Sequence, residues 1–542
     1  MRADDTVECH VLVIGSGGAG VRAAVEAEQY GDTVLVSRSL AGKGGCTPMA
    51  EGGYNAVLRE SDSCVLHKED TIRGGAYLND PELVDILVSE APERFLELVC
   101  WGAVFDRTDT EEFAQRSFGG QRIARTCYAG DRTGHEMMMT LLERLRASNV
   151  TVLQEVSVID LLKREGRVVG AVSLDAAGDL SVIHADSVVL ATGGAARIYD
   201  ISTNSATGTG DGFAMGYRAG AELIDMEMVQ FHPTGAVYPY DARGRLITEA
   251  VRGEGGILLN SKGERFMERY DPERMELSTR DVVARSIHRE ISEGRGTPRG
   301  GVWLDVTHLP AEQIEKRLPL MLEQFLAFGI DIRKERMEVS PTAHHFMGGL
   351  RITPTCETTV PGLYACGEAA GGVHGANRLG GNSLAETQVF GKRAGEAAGR
   401  APSRGIRVDS RQLDSYRRKI EEFREGGVNP AMVVKKLQEA MWNGAGIFRS
   451  VKDLEQTLLD VEKLSKKKLL AQTPANRAEC FTVQNMCLVA SLVIRSALLR
   501  GESRGAHVRT DIFQSWDAAN SPYGHTYISH HRAGIEEKKV PP

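Results

Sequence analysis

Residues 9–37 read CHVLVIGSGGAGVRAAVEAEQYGDTVLVS. An unbroken apolar run, CHVLVIG, leads into the turn SGGAG. A helical pattern, VRAAVEAEQYG, follows, and then a second apolar run, DTVLVS. Short runs without polar alternation fit strands buried on both faces of a sheet. The turn carries Gly15, Gly17 and Gly20 at the spacing G-x-G-x-x-G, with Gly18 beside them. Strand, turn, helix and strand together span about 30 residues, the size of one βαβ unit. In such a unit the first glycine permits the tight turn, the second lets a pyrophosphate approach the backbone, and the third lets helix and strand pack closely. The helix N-terminus adds N–H donors and a partial positive charge for the phosphates. The stretch predicts the start of a doubly wound, Rossmann-like α/β domain that binds a dinucleotide.

Two further glycine-rich loops lie far downstream. SVVLATGG (187–194) ends an apolar strand at Thr192 and Gly193, and TGTGDGFAMGYRAGA (207–221) opens a helix near Asp211. LYACGEAAGGVHGANRLGGNSLAE (363–386) runs strand, loop, helix through Glu368, Asn382, Ser383 and Leu384. A nicotinamide dehydrogenase usually needs only the first loop, so three point to one long cofactor, FAD, in a two-part domain. The intervening region lacks the pattern and reads as an inserted α+β capping domain. Beyond about residue 405 the periodicity turns helical, and Asn429-Pro430 is a cap with a first-turn proline. The division expected is 1–225 and 341–404 for the FAD domain, 226–340 for the cap, 405–505 for a helical domain and 506–542 for a tail poor in regular pattern.

A chain of 542 residues exceeds one hydrophobic core. The net charge of −8 shows no basic stripe, which argues against nucleic acid. The nine cysteines contain no C-x-x-C pair, so neither a structural metal nor an iron–sulfur cluster is expected. Free thiols fit a reducing compartment. The opening strand at Cys9 argues against a signal peptide, and the longest apolar runs, such as CLVASLVI (487–494), are short for a membrane span.

Six motifs in order carry a family resemblance: FGGQRIARTCYAGDRTG (118–134), QFHPTG (230–235), TEAVRGEGG (248–256), STRDVVAR (278–285), PTAHHFMGG (341–349) and HGANRLGGNSLAE (374–386). Together they resemble the flavoprotein subunit of fumarate reductase and succinate dehydrogenase over nearly the whole chain, down to ESRGAHVRTD (502–511). The resemblance implies that His232, His344, Thr248 and Arg378 bind the dicarboxylate, the planar guanidinium of Arg378 clamping both oxygens of one end. Polarising that carboxylate makes the neighbouring carbon electron-poor, as hydride addition requires. It implies Arg280 as the proton donor, with Glu249 and Arg252 as its relay to solvent. Asp281 is expected to cap or pair locally, His345 to pack, and His135, His374, His525, His530 and His531 to have no catalytic part.

For the cofactor, Glu368 is expected at the ribitol or adenosine side, and Ser383 and Leu384 at a helix N-terminus facing the flavin pyrimidine. Ser37-Arg38 replace the generic acidic residue after the second strand, as fumarate reductases commonly do. The loop KGGCTPMAEGG (43–53) supplies Gly45, Cys46, Thr47, Gly52 and Gly53. In the membrane-bound enzymes a histidine that bonds the flavin 8α carbon stands where this chain has Cys46. The expectation is tightly bound, noncovalent FAD with Cys46 packed at the ring edge; a cysteinyl thioether is the alternative. A flavin without the covalent link is a weaker oxidant, which favours net fumarate reduction. Electrons should arrive from a quinol or thiols through a separate iron–sulfur subunit, with the chain cytoplasmic and touching a membrane only through other subunits. L-Aspartate oxidase is the enzymatic alternative.

Overall fold

In the computed structural model, residues 6–405, 410–512 and 518–537 are described. The first strand, β1 (Thr6–Ile14), begins three residues before the apolar run at Cys9. Parallel pairing joins it to β2 (Thr33–Ser37) on one side and to the strand Leu180–Leu190 on the other. Because both its faces are covered, Val11–Ile14 are all buried, as the unbroken apolar run requires. Strands Thr151–Gln154 and Leu363–Ala365 extend the parallel part. Ser157–Arg164 and Arg167–Leu174 add antiparallel neighbours, so the doubly wound sheet is mixed, with seven strands.

Helix α1 (Gly18–Ala27) packs on this sheet beside the helix Asn382–Arg400, which also touches it. Small residues let the two helices approach closely: a Cβ on Gly395 would lie 2.3 Å from the carbonyl oxygen of Ala23. At the turn itself Gly15 has φ +111°, and a Cβ on Gly20 would fall 1.8 Å from the Gly15 carbonyl oxygen. The third glycine of the motif therefore packs helix on turn, as its spacing predicts.

A second apolar cluster, including Ile247, Leu258, Phe266, Ile287, Leu304 and Ile314, forms the interior of the inserted region. Its four-stranded antiparallel sheet runs in the order Val229–Tyr238, Met337–Phe346, Val302–Asp305, Ile257–Leu259. The first two strands are ten residues each and carry the chain into and out of this region. Asp131 ties the region to the FAD domain by accepting from the Leu320 and Met321 N–H groups, at 2.9 and 3.1 Å, at the start of the helix Pro319–Ala327.

Four helices follow: Ser410–Glu422, Pro430–Gly444, Val451–Ser465 and Asn476–Leu499. The Asn429 side chain caps the second of them by accepting from the Ala431 N–H. Among the described residues only Asn476–Leu499 is long and apolar enough to cross a membrane, and 67% of its apolar window is buried inside the protein. The octapeptide CLVASLVI understated that length.

The tail is more regular than its composition suggests. Tyr523–Ile528 and Ala533–Glu537 form a hairpin that pairs with Leu223–Ile224. Residues 513–517 and 538–542 of that tail lie outside the described residues. What holds the hairpin is charge: fully buried Arg500 donates to Glu227 (2.5 Å), Asp225 (3.2 Å) and Glu502 (3.0 Å). Asp225 also meets His525. Such contacts join residues 300 apart, and no local pattern announces them.

Candidate active site

One cavity of about 850 Å³ receives the three glycine loops, the Cys46 loop and the ends of the two long strands of the inserted region. At one end it is lined by Gly15, Gly17, Gly18, Ser37, Arg38, Thr192, Gly193 and Asp211. The α1 N-terminus there has no side-chain cap, although Thr47 Oγ1 accepts from the Gly18 N–H at 3.0 Å. Thr192 Oγ1 is buried without a partner among the described residues. Open donors, an orphaned hydroxyl and a glycine cradle fit a phosphate-bearing cofactor.

The wall continues through Gly45, Cys46, Thr47, Gly52, Gly53, Glu368, Ser383 and Leu384. Burial, reinforced by Glu368, pushes the Cys46 thiol up to about 12, so it stays protonated at neutral pH. Burial likewise raises Glu368 to about 7, although its carboxylate accepts from the Phe346 N–H at 2.9 Å.

The opposite end gathers the polar residues of the six motifs. Strand pairing sets His232 opposite Thr342 and Gln230 opposite His345, which brings the His232 and His344 rings to 5.0 Å between centroids. His232 Nδ1 accepts from the Thr234 N–H at 3.2 Å, so its Nε2 carries the proton. His344 Nδ1 meets the Thr203 hydroxyl at 2.7 Å. Burial, together with Arg280 and Arg378, holds both imidazoles well below the ordinary histidine range, so both are neutral. Thr248 accepts from the Ala250 N–H through Oγ1, which leaves its hydroxyl proton free to donate.

Arg280 Nε donates to Glu249 Oε2 at 2.7 Å, and its Nη1 donates to Gln230 Oε1 at 3.1 Å. Arg378 Nη2 donates to that same Gln230 oxygen at 3.2 Å. Burial would raise Glu249, but Arg280, Arg252 and the Gly119 N–H outweigh it and hold its carboxyl below the usual range. Burial, with Arg280 nearby, lowers Arg378 to about 9, leaving it cationic at neutral pH. Its Nε is buried without a partner among the described residues.

Two expected cofactor contacts do not line the cavity. Asn382 stands behind the loop: Oδ1 meets Asn55 at 2.6 Å and His67 at 2.9 Å, and Nδ2 donates to Thr71 at 3.0 Å. Its side chain is spent on joining helix and loop. Gly20 packs under the turn. Arg252 is also set back, with Nη2 3.8 Å from Glu249 Oε1. Asp281 pairs locally with Arg285 at 2.9 Å. His345 does line the wall, Nδ1 3.6 Å from Glu368 Oε1, and its ring packs on His374, which meets Glu386 at 2.9 Å. Sequence reasoning missed Gln230, although it lies two residues before His232, on the same face of one strand.

The profile of the FAD binding domain matches residues 10–384, and that of the fumarate reductase flavoprotein C-terminal region matches residues 434–540. The chain belongs to the fumarate reductase and succinate dehydrogenase flavoprotein family. It is an FAD-dependent oxidoreductase of that family. A fumarate reductase (CoM/CoB) subunit of Methanothermobacter marburgensis is 52% identical over 517 residues, 93% of this chain and 94% of that one. The Escherichia coli fumarate reductase flavoprotein subunit is 37% identical over 540 residues, 93% and 89% of the two chains. Among solved structures, E. coli quinol fumarate reductase superposes with a TM-score of 0.92 at 35% identity, covering 99% and 98% of the two chains. The Sdh1 complex of Mycobacterium smegmatis gives 0.87 at 37% identity, covering 99% and 96%.

Proposed function

We propose that this chain reduces fumarate to succinate as the flavoprotein subunit of a complex fed by thiols through a separate iron–sulfur subunit. The observation that carries the proposal is the cluster in which Gln230 holds Arg280 and Arg378 beside two neutral imidazoles at one end of the FAD cavity. Arg280, Arg378 and Arg252 are buried with the Glu249 carboxylate paired to Arg280, which leaves a net cationic charge to attract a dianion.

Arg378, His232, His344 and Thr248 bind and orient the diacid and draw electron density towards its carboxylate. FAD, when bound, supplies the hydride that ends on one alkene carbon. Arg280 gives a proton to the other carbon and regains one through Glu249, with Arg252 behind it. The 2.7 Å contact from Arg280 Nε to Glu249 supports that order. Arg280→Lys keeps a cation but loses the paired contacts to Glu249 and Gln230. Succinate formation is expected to fall by about 10²–10⁴-fold, the usual worth of a positioned acid, with FAD content unchanged; near-normal turnover would refute the assignment.

The neutral thiol of Cys46 supports noncovalent FAD, because the thiolate is the nucleophile. Acid precipitation is expected to leave the flavin in solution, whereas flavin in the pellet would establish a thioether. The CoM/CoB in the name of the M. marburgensis relative, which is more similar than the quinol-linked structure, supports thiols as the electron source. This reading has the complex cytoplasmic, at a membrane only if partner subunits are anchored there.

A further inference from the structure

We propose that Thr203 is a positioning residue for the reduction: its hydroxyl sets which nitrogen of His344 carries the proton, so that the ring presents Nε2–H to a carboxylate. The inference rests on the reading of His344 as a ligand of the diacid.

Thr203 lies between the glycine runs at Gly194 and Gly208, and Ser202, Thr203 and Asn204 all line the cavity. The segment pairs in parallel with the strand Met337–Phe346 through one bridge, Ser202 to Ala343. Two backbone bonds hold that register. The Ala343 N–H donates to the Ile201 carbonyl at 3.0 Å, and the Thr203 N–H donates to the Ala343 carbonyl at 3.0 Å. Asn204 adds a third contact, donating through Nδ2 to the His344 carbonyl at 2.6 Å. The backbone around Thr203 and His344 is therefore fixed on both sides, and their side chains meet because of it.

Oγ1 of Thr203 stands 2.7 Å from His344 Nδ1. A hydroxyl carries one proton. The other acceptor within reach among the described residues, the Ala343 carbonyl, is 3.5 Å away, at the edge of hydrogen-bonding distance. The short contact takes the proton, so Thr203 donates and Nδ1 accepts. A neutral imidazole holds one N–H, which then stays on Nε2. Were His344 to donate from Nδ1 instead, the hydroxyl proton would be left to the long contact. Nε2 would then turn a lone pair to the cavity.

His232 reaches the same tautomer by another route. There the Thr234 N–H donates to Nδ1 at 3.2 Å, and a backbone amide N–H can only donate. The two rings lie 5.0 Å apart between centroids, and both residues line the cavity. The oxygens of an ionised carboxylate only accept. Two Nε2–H groups match them, whereas a lone pair from either ring would repel them. Backbone fixes His232, but His344 depends on a side chain, so Thr203 is where the arrangement can be broken.

Malonate serves as the probe, a diacid that cannot lose hydrogen across a C–C bond. Its binding to the oxidised holoenzyme is read from the shift of the flavin absorption band, per bound FAD. Thr203→Val keeps the branched shape and removes the hydroxyl. Malonate affinity and kcat/KM for fumarate should each fall by about tenfold, the worth of one hydrogen bond. Thr203→Ser, which returns the hydroxyl, should restore both. His344→Ala should weaken malonate at least as much, and adding Thr203→Val to it should cost nothing further, since Thr203 acts only through that ring. Unchanged affinity in Thr203→Val, no rescue by serine, or a further loss in the double variant would overturn the proposal. If His344→Ala itself leaves malonate binding unchanged, the ligand role of His344 fails and this inference falls with it. Should the valine variant not fold, Thr203→Ala also lacks the hydroxyl and decides.

Discussion

Gln230 Oε1 accepts from both Arg280 and Arg378, and Gln230 Nε2 donates to Asn377 at 2.9 Å and to the Arg378 carbonyl at 2.8 Å. One neutral amide thus holds together two guanidiniums whose charges repel, the arrangement that the proposed dianion site requires. Buried Arg378 is cationic below about pH 9 and neutral above it. On the proposed reading, in which the Arg378 cation attracts the diacid, the free-enzyme profile of kcat/KM for fumarate should fall above about pH 9. Rates at low and saturating fumarate across pH 7–10 check this. A flat profile to pH 10 would place the clamp elsewhere.

At the scale of elements, the Gly15–Gly20 turn joins cofactor cradle and helix packing in six residues. Gly20→Ala would drive a Cβ into the Gly15 carbonyl at 1.8 Å, and backbone cannot rotate away as a side chain can. The variant should lose FAD and about 1–3 kcal/mol of stability, the usual cost of overpacking. Flavin content and thermal melting measure both; a fully loaded protein with wild-type Tm would contradict the packing role. The βαβ unit was legible because buried parallel strands and a glycine turn leave a local signature. The hairpin of the tail was not. Tyr523–Ile528 is short and one-sided, and it is held by Asp225 and Glu227 contacts some 300 residues away in sequence. Gln230 was missed for a different reason: an uncharged amide gains its meaning only when the fold brings Arg280 and Arg378 to it.

Across the whole molecule, the site is an assembly of pieces that no single segment contains. The FAD domain supplies Arg378 and the glycine loops, the inserted region supplies Glu249 and Arg280, and the two strands joining them carry His232 and His344. The Asp131 contact to the helix Pro319–Ala327 and the Asn377 contact to Asp281 at 3.0 Å hold the two bodies together over the cavity. The motifs named most of these residues, while their convergence needed the fold. A structure of the FAD-loaded chain with succinate bound tests that convergence most directly. The diacid should lie against the flavin with its carboxylates on Arg378 and His232 and with Arg280 facing its central carbons. Succinate bound elsewhere, with Arg378 and His232 turned from the flavin, would contradict the account.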